Sequence, residues 1–445
     1  MPLRLENSFS MDVPNQVINI YEGSFTIKGH TSYFFVKGLI KVEWIPNLII
    51  SFNGEVINKH ISNAEIEVLC RENTELFINE RLWGRSQITY MTKGINIFEI
   101  SGKLIGRLII GEQPIAVDIL RFTIPNLRSI SGEHVKRIVD GGFHTYRSRF
   151  SFENKHHKII LDQRQNHDLL HESLEKQGGF LIFYNVEYKR NDLIKITESE
   201  ANTFVSSFSR FLTLINGSRS SPMFIEGVIN DKSVWTDYSI YPVDSYKEVQ
   251  TWSTGCSVKE LNDLWGNFHE LWKKNEEFLT SITHWYVEVN RPTNYVDGNL
   301  TLVQTALELI YNWFIIEKGK LLYGIDADNI SAANKIRLLL SKLNVTSDIP
   351  KPFTALQETL NGKMADLKDG PGVTSYIRNC IVHSKAKNRE NLKLITEEAK
   401  SQSLQLCLWY VELSILKILG YKGKYYNRCS GKLYRPDGVQ LVPWI

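Results

Sequence analysis

The sequence predicts an α+β protein of more than one domain, in which a β-rich, antiparallel sandwich-like or barrel-like region precedes an all-α helical bundle. Short β-branched and aromatic runs, separated by turn residues such as Asn53-Gly54 and Lys93-Gly94, fill the first half of the chain. The second half instead carries apolar residues at helical spacing, which is typical of amphipathic helices. We therefore expect a β-rich region over residues 1–250 and a helical domain over residues 256–445, with the boundary at Ser253-Thr254-Gly255.

Composition limits the classes of function. With 445 residues, of which 42% are hydrophobic, the chain can bury sizeable cores in two or three domains. Its formal net charge of +3 is too small to predict nucleic-acid binding over the whole surface, so any affinity for RNA must be local. The five cysteines form no Cys-x-x-Cys pair, which favours a reducing cytoplasm and argues against a zinc site. We find no signal-peptide pattern and no bilayer-spanning apolar run, so we expect a cytoplasmic protein without a membrane segment.

The first half is expected to consist of short strands. Their close spacing, without helical patterns between them, favours an antiparallel sandwich or barrel over a parallel sheet. The predicted strands are Val17–Ile27, Tyr33–Trp44, Leu48–Phe52, Ala64–Cys70, Ile95–Ile100, Leu104–Ile110 and Ile115–Ile124.

Residues 129–176 are less regular and rich in basic residues, which suggests either a second module, dividing the region into 1–128 and 129–250, or a long insertion. His167 and His171 lie one helical turn apart and could form a metal-binding pair. The segment lacks a third ligand and the glutamate of a metalloprotease motif, so we interpret it as a solvated basic helix face and expect no metal.

The rest of the N-terminal region is expected to place helices over a sheet. Thr197 and Glu200 form a capping box at the start of an amphipathic helix that Asn216-Gly217 ends. The predicted strands around this helix are Phe180–Tyr188, Met223–Ile229 and Trp235–Val243.

A second capping box, Ser257 with Glu260, opens the helical domain. Turn signals in the tyrosine-rich tail after Gly420 predict a small hairpin that packs back on the bundle. The further predicted helices are Leu300–Ile316, Ala332–Leu343, Phe353–Asp366, the segment that follows Thr374, and Asn391–Leu419.

The segment from Ser375 to Ser384 carries the candidate catalytic residues Arg378, Asn379 and His383. We expect Thr374 to cap a helix after the turn at Gly370-Pro371-Gly372. Arginine binds and neutralises a phosphate, and histidine transfers protons near neutral pH, so this set suits phosphodiester chemistry without a metal. On a regular helix Arg378 and His383 would lie about 140° apart, which predicts that two copies meet across a two-fold axis.

The spacing of arginine and histidine is by itself a weak signal, because the chain repeats it elsewhere. The alternative interpretation is a structural arginine and a capping histidine. Context favours the functional interpretation. Asn379 follows Arg378 directly, the residues between Asn379 and His383 are the apolar Cys-Ile-Val, and the segment lies within a helical domain. The other pairs are Arg128 with His134, Arg137 with His144, Arg149 with His156, and Arg164 with His171.

The Arg-Asn-x-x-x-His core resembles the signature of the HEPN superfamily of helical ribonucleases, and the last third of the chain looks like the HEPN domain of ApeA-type anti-phage proteins. The N-terminal region is similar to the companion domain of those proteins in architecture only. The resemblance implies a cofactor-free endoribonuclease that cuts RNA through Arg378, Asn379 and His383, forms a homodimer or larger homo-oligomer through the HEPN domain, and causes abortive infection. It also implies a phage-derived trigger that binds the N-terminal region.

One acidic residue and one group of basic residues outside the motif extend this prediction. Glu308 lies in a polar stripe of an apolar helix, and we interpret it either as a carboxylate that holds Arg378 in place or as a solvated edge. Lys385, Lys387 and Arg389 follow the motif and could contact the phosphates of an RNA strand. The alternative function is a non-catalytic HEPN-like module for dimerisation or nucleotide binding, with the N-terminal region as the working binding domain.

Overall fold

In a computed structural model, the chain forms two compact units. Unit 1 comprises Met1–Val205 and Ser220–Lys247, and unit 2 comprises Ser206–Arg219 and Glu248–Ile445. The principal division therefore falls a few residues before the expected boundary at Ser253-Thr254-Gly255. The structure describes residues 2–6, 8–58, 62–94, 98–111, 115–139, 142–292, 295–361, 367–383, 385–432 and 435–445.

Six antiparallel strands at the start of unit 1 form a closed barrel in the order β1-β2-β3-β6-β5-β4, where β1 pairs with both β2 and β4. Large aromatic residues such as Phe34 and Phe52 fill its interior. The N-terminal fold is thus a barrel followed by a sheet. The strands are β1 (Ile18–Lys28), β2 (Tyr33–Glu43), β3 (Ile49–Val56), β4 (Thr74–Ile78), β5 (Arg81–Lys93) and β6 (Phe98–Ile105).

The predicted strand Ala64–Cys70 is wrong, because this segment is helix α1 (Asn63–Arg71). The Ser62 Oγ accepts a hydrogen bond from the Glu65 N–H at 3.3 Å, and the Glu65 carboxylate accepts one from the Ser62 N–H at 2.9 Å. Alternating apolar residues suggested a strand, but this capping box begins a helix whose buried residues are three positions apart. The first three residues of the predicted strand Ile95–Ile100 lie outside the described residues.

The remaining strands of unit 1 form an eight-stranded sheet in the order β7-β14-β13-β8-β12-β11-β10-β9, with antiparallel neighbours. Because β7 and β8 precede residue 128, the sheet begins before the predicted break between 128 and 129. Residues 129–176 supply three strands of the sheet and then enter a helix. The strands are β7 (Ile109–Gly111), β8 (Ile119–Pro125), β9 (Glu133–Val139), β10 (Gly142–Glu153), β11 (His157–Gln163), β12 (Ile182–Arg190), β13 (Met223–Ile229) and β14 (Lys232–Asp237).

Helices α2 (His167–Gln177) and α3 (Glu198–Asn216) lie between these strands in the sequence. The capping box predicted for α3 is confirmed, since the Thr197 Oγ1 accepts from the Glu200 N–H and the Glu200 carboxylate accepts from the Thr197 N–H. The first part of α3 belongs to unit 1 and its last part to unit 2. In unit 2, Phe211 packs on Trp265 with ring centroids 5.1 Å apart.

Unit 2 is a helical bundle that ends in the predicted hairpin. Helix α11 is buried along most of its length, and it packs against α5, α8 and α9. Residues 362–366 of the predicted helix Phe353–Asp366 lie outside the described residues. The elements are α4 (Val258–Asn290), α5 (Val296–Tyr311), a π-helix (Asn312–Lys318), α6 (Gly324–Asp328), α7 (Ala332–Leu343), α8 (Thr354–Asn361), α9 (Gly370–Val382), α10 (Ala386–Lys393), α11 (Glu397–Ile418), β15 (Lys424–Tyr426), a 3₁₀ turn (Arg435–Gly438) and β16 (Val439–Leu441).

A buried ion pair joins the C-terminal tail to α11. The Arg428 guanidinium donates to both Glu412 carboxylate oxygens, at 2.9 Å from Nε and 2.5 Å from Nη2. The side chain of Arg428 is 2% exposed and that of Glu412 is fully buried. The Tyr286 hydroxyl donates to the same carboxylate at 2.8 Å, so this charge pair is enclosed by hydrogen bonds.

Within the described part of the chain, no helix has the length and hydropathy needed to cross a membrane. All five cysteines are free.

Candidate functional site

Helix α9 starts earlier than the sequence suggested. Asp369, not Thr374, is its N-cap, and its carboxylate accepts from the Gly372 N–H at 2.9 Å. The same carboxylate receives two bonds from Arg337 at 2.6 and 2.7 Å. Gly370-Pro371-Gly372 therefore forms the first turn of the helix, where proline is well tolerated, and Thr374 is buried inside it.

The packing of this first turn requires glycine. The Gly370 N–H donates to the Ser347 carbonyl at 2.9 Å, and a Cβ at Gly370 would clash with the Tyr410 hydroxyl on α11. Gln304 of α5 adds a further contact, donating from Nε2 to the Thr374 carbonyl at 3.0 Å. The N-terminal half of α9 is therefore anchored in the bundle.

The C-terminal end of α9 carries the predicted motif. His383 is the C-cap, with φ −95° and ψ 94°, and its N–H makes the last helical bond to the Asn379 carbonyl at 3.0 Å. The calculation that placed Arg378 and His383 about 140° apart assumed a regular helix through His383, and this assumption is wrong. The backbone leaves the helix at the histidine, and its side chain is exposed.

The backbone around His383 is held by the turn into α10. The Asn388 Nδ2 donates to the His383 carbonyl at 2.8 Å, and the Lys385 N–H donates to the same carbonyl at 2.7 Å. Two hydrogen bonds to the His383 carbonyl restrain the backbone there, so the His383 imidazole extends from a defined position.

Arg378 and Asn379 interact with each other directly. The Arg378 Nη1 donates to the Asn379 Oδ1 at 3.2 Å. Arg378 is half-buried, and its Nε is buried without a hydrogen-bond partner within the described part of the chain. Arginine has five N–H donors, so the guanidinium keeps donors for an anion while the amide orients it.

The neighbouring thiol and phenol are poor proton acceptors. Burial raises the pKa of the Cys380 thiol, although Tyr376 opposes this shift. Burial, followed by the effect of Cys380, raises the pKa of Tyr376. Near neutral pH both groups stay protonated, so His383 is the group of the motif suited to proton transfer.

The predicted RNA-contacting residues Lys385, Lys387 and Arg389 lie at the start of α10, and all three are exposed. Lys385, two residues after His383, is the N-cap of this basic helix. This helix packs against α9 but has no fully buried residue, so the three basic side chains are accessible to a ligand.

The structure does not bring Glu308 to Arg378. The Glu308 carboxylate accepts from the Lys335 Nζ at 2.5 Å, and among the described residues no ion pair links it to Arg378. The polar stripe instead contacts α9 through Gln304, which is buried and lies one turn earlier. The sequence feature that could have predicted this contact is a glutamine in an otherwise apolar helix. The feature that could have predicted the N-cap is Asp369 directly before Gly370-Pro371.

His167 and His171 lie on α2 with ring centroids 5.6 Å apart. His167 is buried and packs against Phe183, and His171 lies 3.5 Å from Glu175. No group of three potential metal-ligating side chains occurs among the residues that the structure describes.

Parts of the chain are similar to proteins of one named group. Residues 112–249 match the family model of the YopA central domain, and residues 272–437, which include the motif, match that of the YopA C-terminal domain. The chain is 28% identical over 452 residues to the SPbeta prophage-derived uncharacterized protein YopA of Bacillus subtilis strain 168, covering 99% of this chain and 98% of that protein. No solved structure matches the chain.

Proposed function

We propose that unit 2 is a metal-independent endoribonuclease of the HEPN type, with Arg378, Asn379 and His383 as its catalytic residues. The supporting observation is the exposed end of α9, where the Asn379 amide accepts from the Arg378 guanidinium, which keeps further donors. The His383 imidazole emerges from the end of the same helix, five residues after the arginine. Anion binding and proton transfer are the two capacities that phosphodiester cleavage requires.

In this mechanism the RNA supplies its own nucleophile. The 2′-hydroxyl loses its proton to a base and attacks phosphorus, the bond from phosphorus to the 5′-oxygen breaks, and an acid protonates the leaving oxygen. Arg378 stabilises the charge on the phosphorane, and Asn379 orients the guanidinium. The products are a 2′,3′-cyclic phosphate and a 5′-hydroxyl.

His383 is the proposed base or acid. One imidazole cannot accept and donate a proton in the same concerted step, so a homodimer that contributes two copies of His383 would supply both. The proposed active unit is therefore at least a dimer joined through unit 2. Lys385, Lys387 and Arg389 would contact the phosphates on one side of the cut.

The proposed biological role is defence against phage by abortive infection, with a phage-derived trigger recognised by unit 1. Similarity to a prophage-derived protein supports this role, because a resident prophage gains when its host excludes a competing phage. The alternative role is a non-catalytic module for dimerisation or nucleotide binding.

The test is RNA cleavage in EDTA by the wild type, by His383→Ala and by His284→Ala, an exposed histidine of the same unit that serves as control. RNA from cells expressing each protein, with and without phage, is sequenced at its cut ends. We expect cleavage by the wild type and the control only. RNA binding without cleavage under any inducing condition would refute the nuclease and favour the non-catalytic module.

A further inference from the structure

Unit 1 contains a cleft of about 700 Å³ that the proposed ribonuclease does not use. Three arginines line it, Arg4, Arg137 and Arg164, together with Gln165 and Asn166 at the start of α2. Its volume lies within the range of about 300–1,000 Å³ that is typical of small-molecule sites.

The fold brings these arginines together from distant parts of the chain. The segment before β1 pairs in parallel with β9 at Leu3 and Lys136, which places Arg4 beside Arg137. The Leu5 N–H donates to the buried carboxylate of Asp162 at 2.7 Å, so this segment is fixed to the sheet. The arginine cluster is therefore part of the folded unit.

The three guanidiniums are incompletely neutralised. Arg164 has an 11% exposed side chain and donates to the Met11 carbonyl and, at 3.1 Å, to the Asp12 carboxylate. Arg137 donates to the Gln165 Oε1 at 3.0 Å. The Nε of Arg4 is buried without a hydrogen-bond partner among the described residues. A buried donor without an acceptor costs free energy, and the guanidinium that carries it belongs to a residue that lines the cleft.

The positive charges of the three arginines also repel one another. Burial lowers the pKa of Arg164, and the nearby charges of Arg4 and Arg137 lower it further, against the opposite effect of Asp12. Glu6 and Asp12 line the cleft as well, so three positive charges face two negative ones. Asp12 is largely exposed and already paired with Arg164, which leaves Arg4 and Arg137 facing the cavity without an ion pair within the described residues.

The start of α2 adds a second attraction for anions. Asn166, its N-cap, makes no side-chain capping bond to the first turn. Because Asn166 lines the cleft, the positive end of the dipole of this eleven-residue helix lies beside the arginines, where it favours negative charge.

We infer that this cleft binds a phosphorylated small molecule of nucleotide size, whose phosphate or pyrophosphate group contacts Arg4, Arg137 and Arg164. Arginine forks bind phosphate oxygens in pairs, and three of them suit a group with more than one negative charge. A cleft of this volume matches a small molecule better than a nucleic-acid strand. The inference is independent of the proposed ribonuclease.

The test is isothermal titration calorimetry on the full-length protein with pyrophosphate, ATP and inorganic phosphate as separate probes. Arg137→Gln is the principal variant, because it removes the charge of an exposed side chain and we expect it to leave the neighbouring fold intact. We expect it to weaken binding of pyrophosphate or ATP about tenfold or more. Arg137→Lys keeps the charge but loses the forked pair of donors, so its affinity should lie between that of the wild type and that of Arg137→Gln.

Arg121→Gln is the matched control, because Arg121 lies on the same sheet, is paired with Asp231 and does not line the cleft. We expect it to bind like the wild type. No heat of binding with any probe at millimolar concentration would overturn the inference, and so would equal weakening by Arg121→Gln and Arg137→Gln. If single-stranded RNA bound through Arg137 while pyrophosphate and ATP did not, a nucleic-acid surface would replace the small-molecule site.

Discussion

Removing one member of the buried pair between Glu412 and Arg428 should strongly destabilise unit 2. In Glu412→Gln the Arg428 guanidinium, 2% exposed, would keep its charge and lose its counter-ion. Breaking a buried pair in this way costs about 3–5 kcal/mol in the free energy of unfolding. At roughly 2–4 °C per kcal/mol, the melting temperature should fall by about 6–20 °C.

The measurement is thermal unfolding followed by circular dichroism, with Glu308→Gln as control. Glu308 is 54% exposed and paired with Lys335, so its loss should cost no more than about 1 kcal/mol. If Glu412→Gln melted within the same small range as Glu308→Gln, the reasoning about burial would be refuted.

A combined variant separates charge from packing. Glu412→Leu with Arg428→Met and Tyr286→Phe removes both charges and the hydroxyl that bonds to the carboxylate. Replacing a complete buried pair by apolar residues is often neutral, so this variant should recover most of the stability that the single substitution loses. A cost equal to the sum of the single substitutions would mean that shape, and not charge, decides stability here.

Five further outcomes are expected. Asn379→Ala should retain part of the RNA cleavage activity, because the amide orients Arg378 and does not transfer protons. A 2′-deoxy substitution at the cut should block the reaction, and efficient cleavage of DNA would exclude a mechanism in which the 2′-hydroxyl attacks. Analytical sedimentation should show at least twice the chain mass, and a fully active monomer would exclude the dimer. Thr396→Ala should cost about 1 kcal/mol in chemical denaturation while Thr396→Ser does not, because the Thr396 hydroxyl accepts from the Ala399 N–H at 3.1 Å. Burial lowers the pKa of His167, so the unfolded chain binds this proton more readily; the free energy of unfolding should be highest above about pH 6.5 and fall as the pH drops below it, with a shallower slope in His167→Gln.

Local signals predicted much of the fold. The capping boxes at Thr197 and at Ser257 begin helices as expected, and α7 has the predicted limits. The capping box at Ser62 was overlooked, because the apolar alternation after it favoured a strand. Two periodicities competed there, and the bonds that close the first turn decided the outcome.

The motif could be located from the sequence, but its geometry could not. The apolar pattern continues through Val382, and no glycine or proline marks the end of α9 at His383, so a regular helix was the natural expectation. The partner of Glu308 and the meeting of Arg4 with Arg164 depend on contacts between residues far apart in the chain, which periodicity does not encode.

Helix α3 has a consequence for how this protein can change by recombination. Its last part, together with residues up to Arg219, belongs to unit 2, yet the two final strands of unit 1 follow it in the sequence. Any single junction between two related genes would therefore build at least one unit from two parents. Core contacts such as that of Phe211 with Trp265 would then join residues from different proteins. A chimera in which each unit comes wholly from one parent needs three crossovers, because it exchanges the segment 206–219 together with residues 248–445. The two units should therefore be inherited together more often than modules joined by one linker.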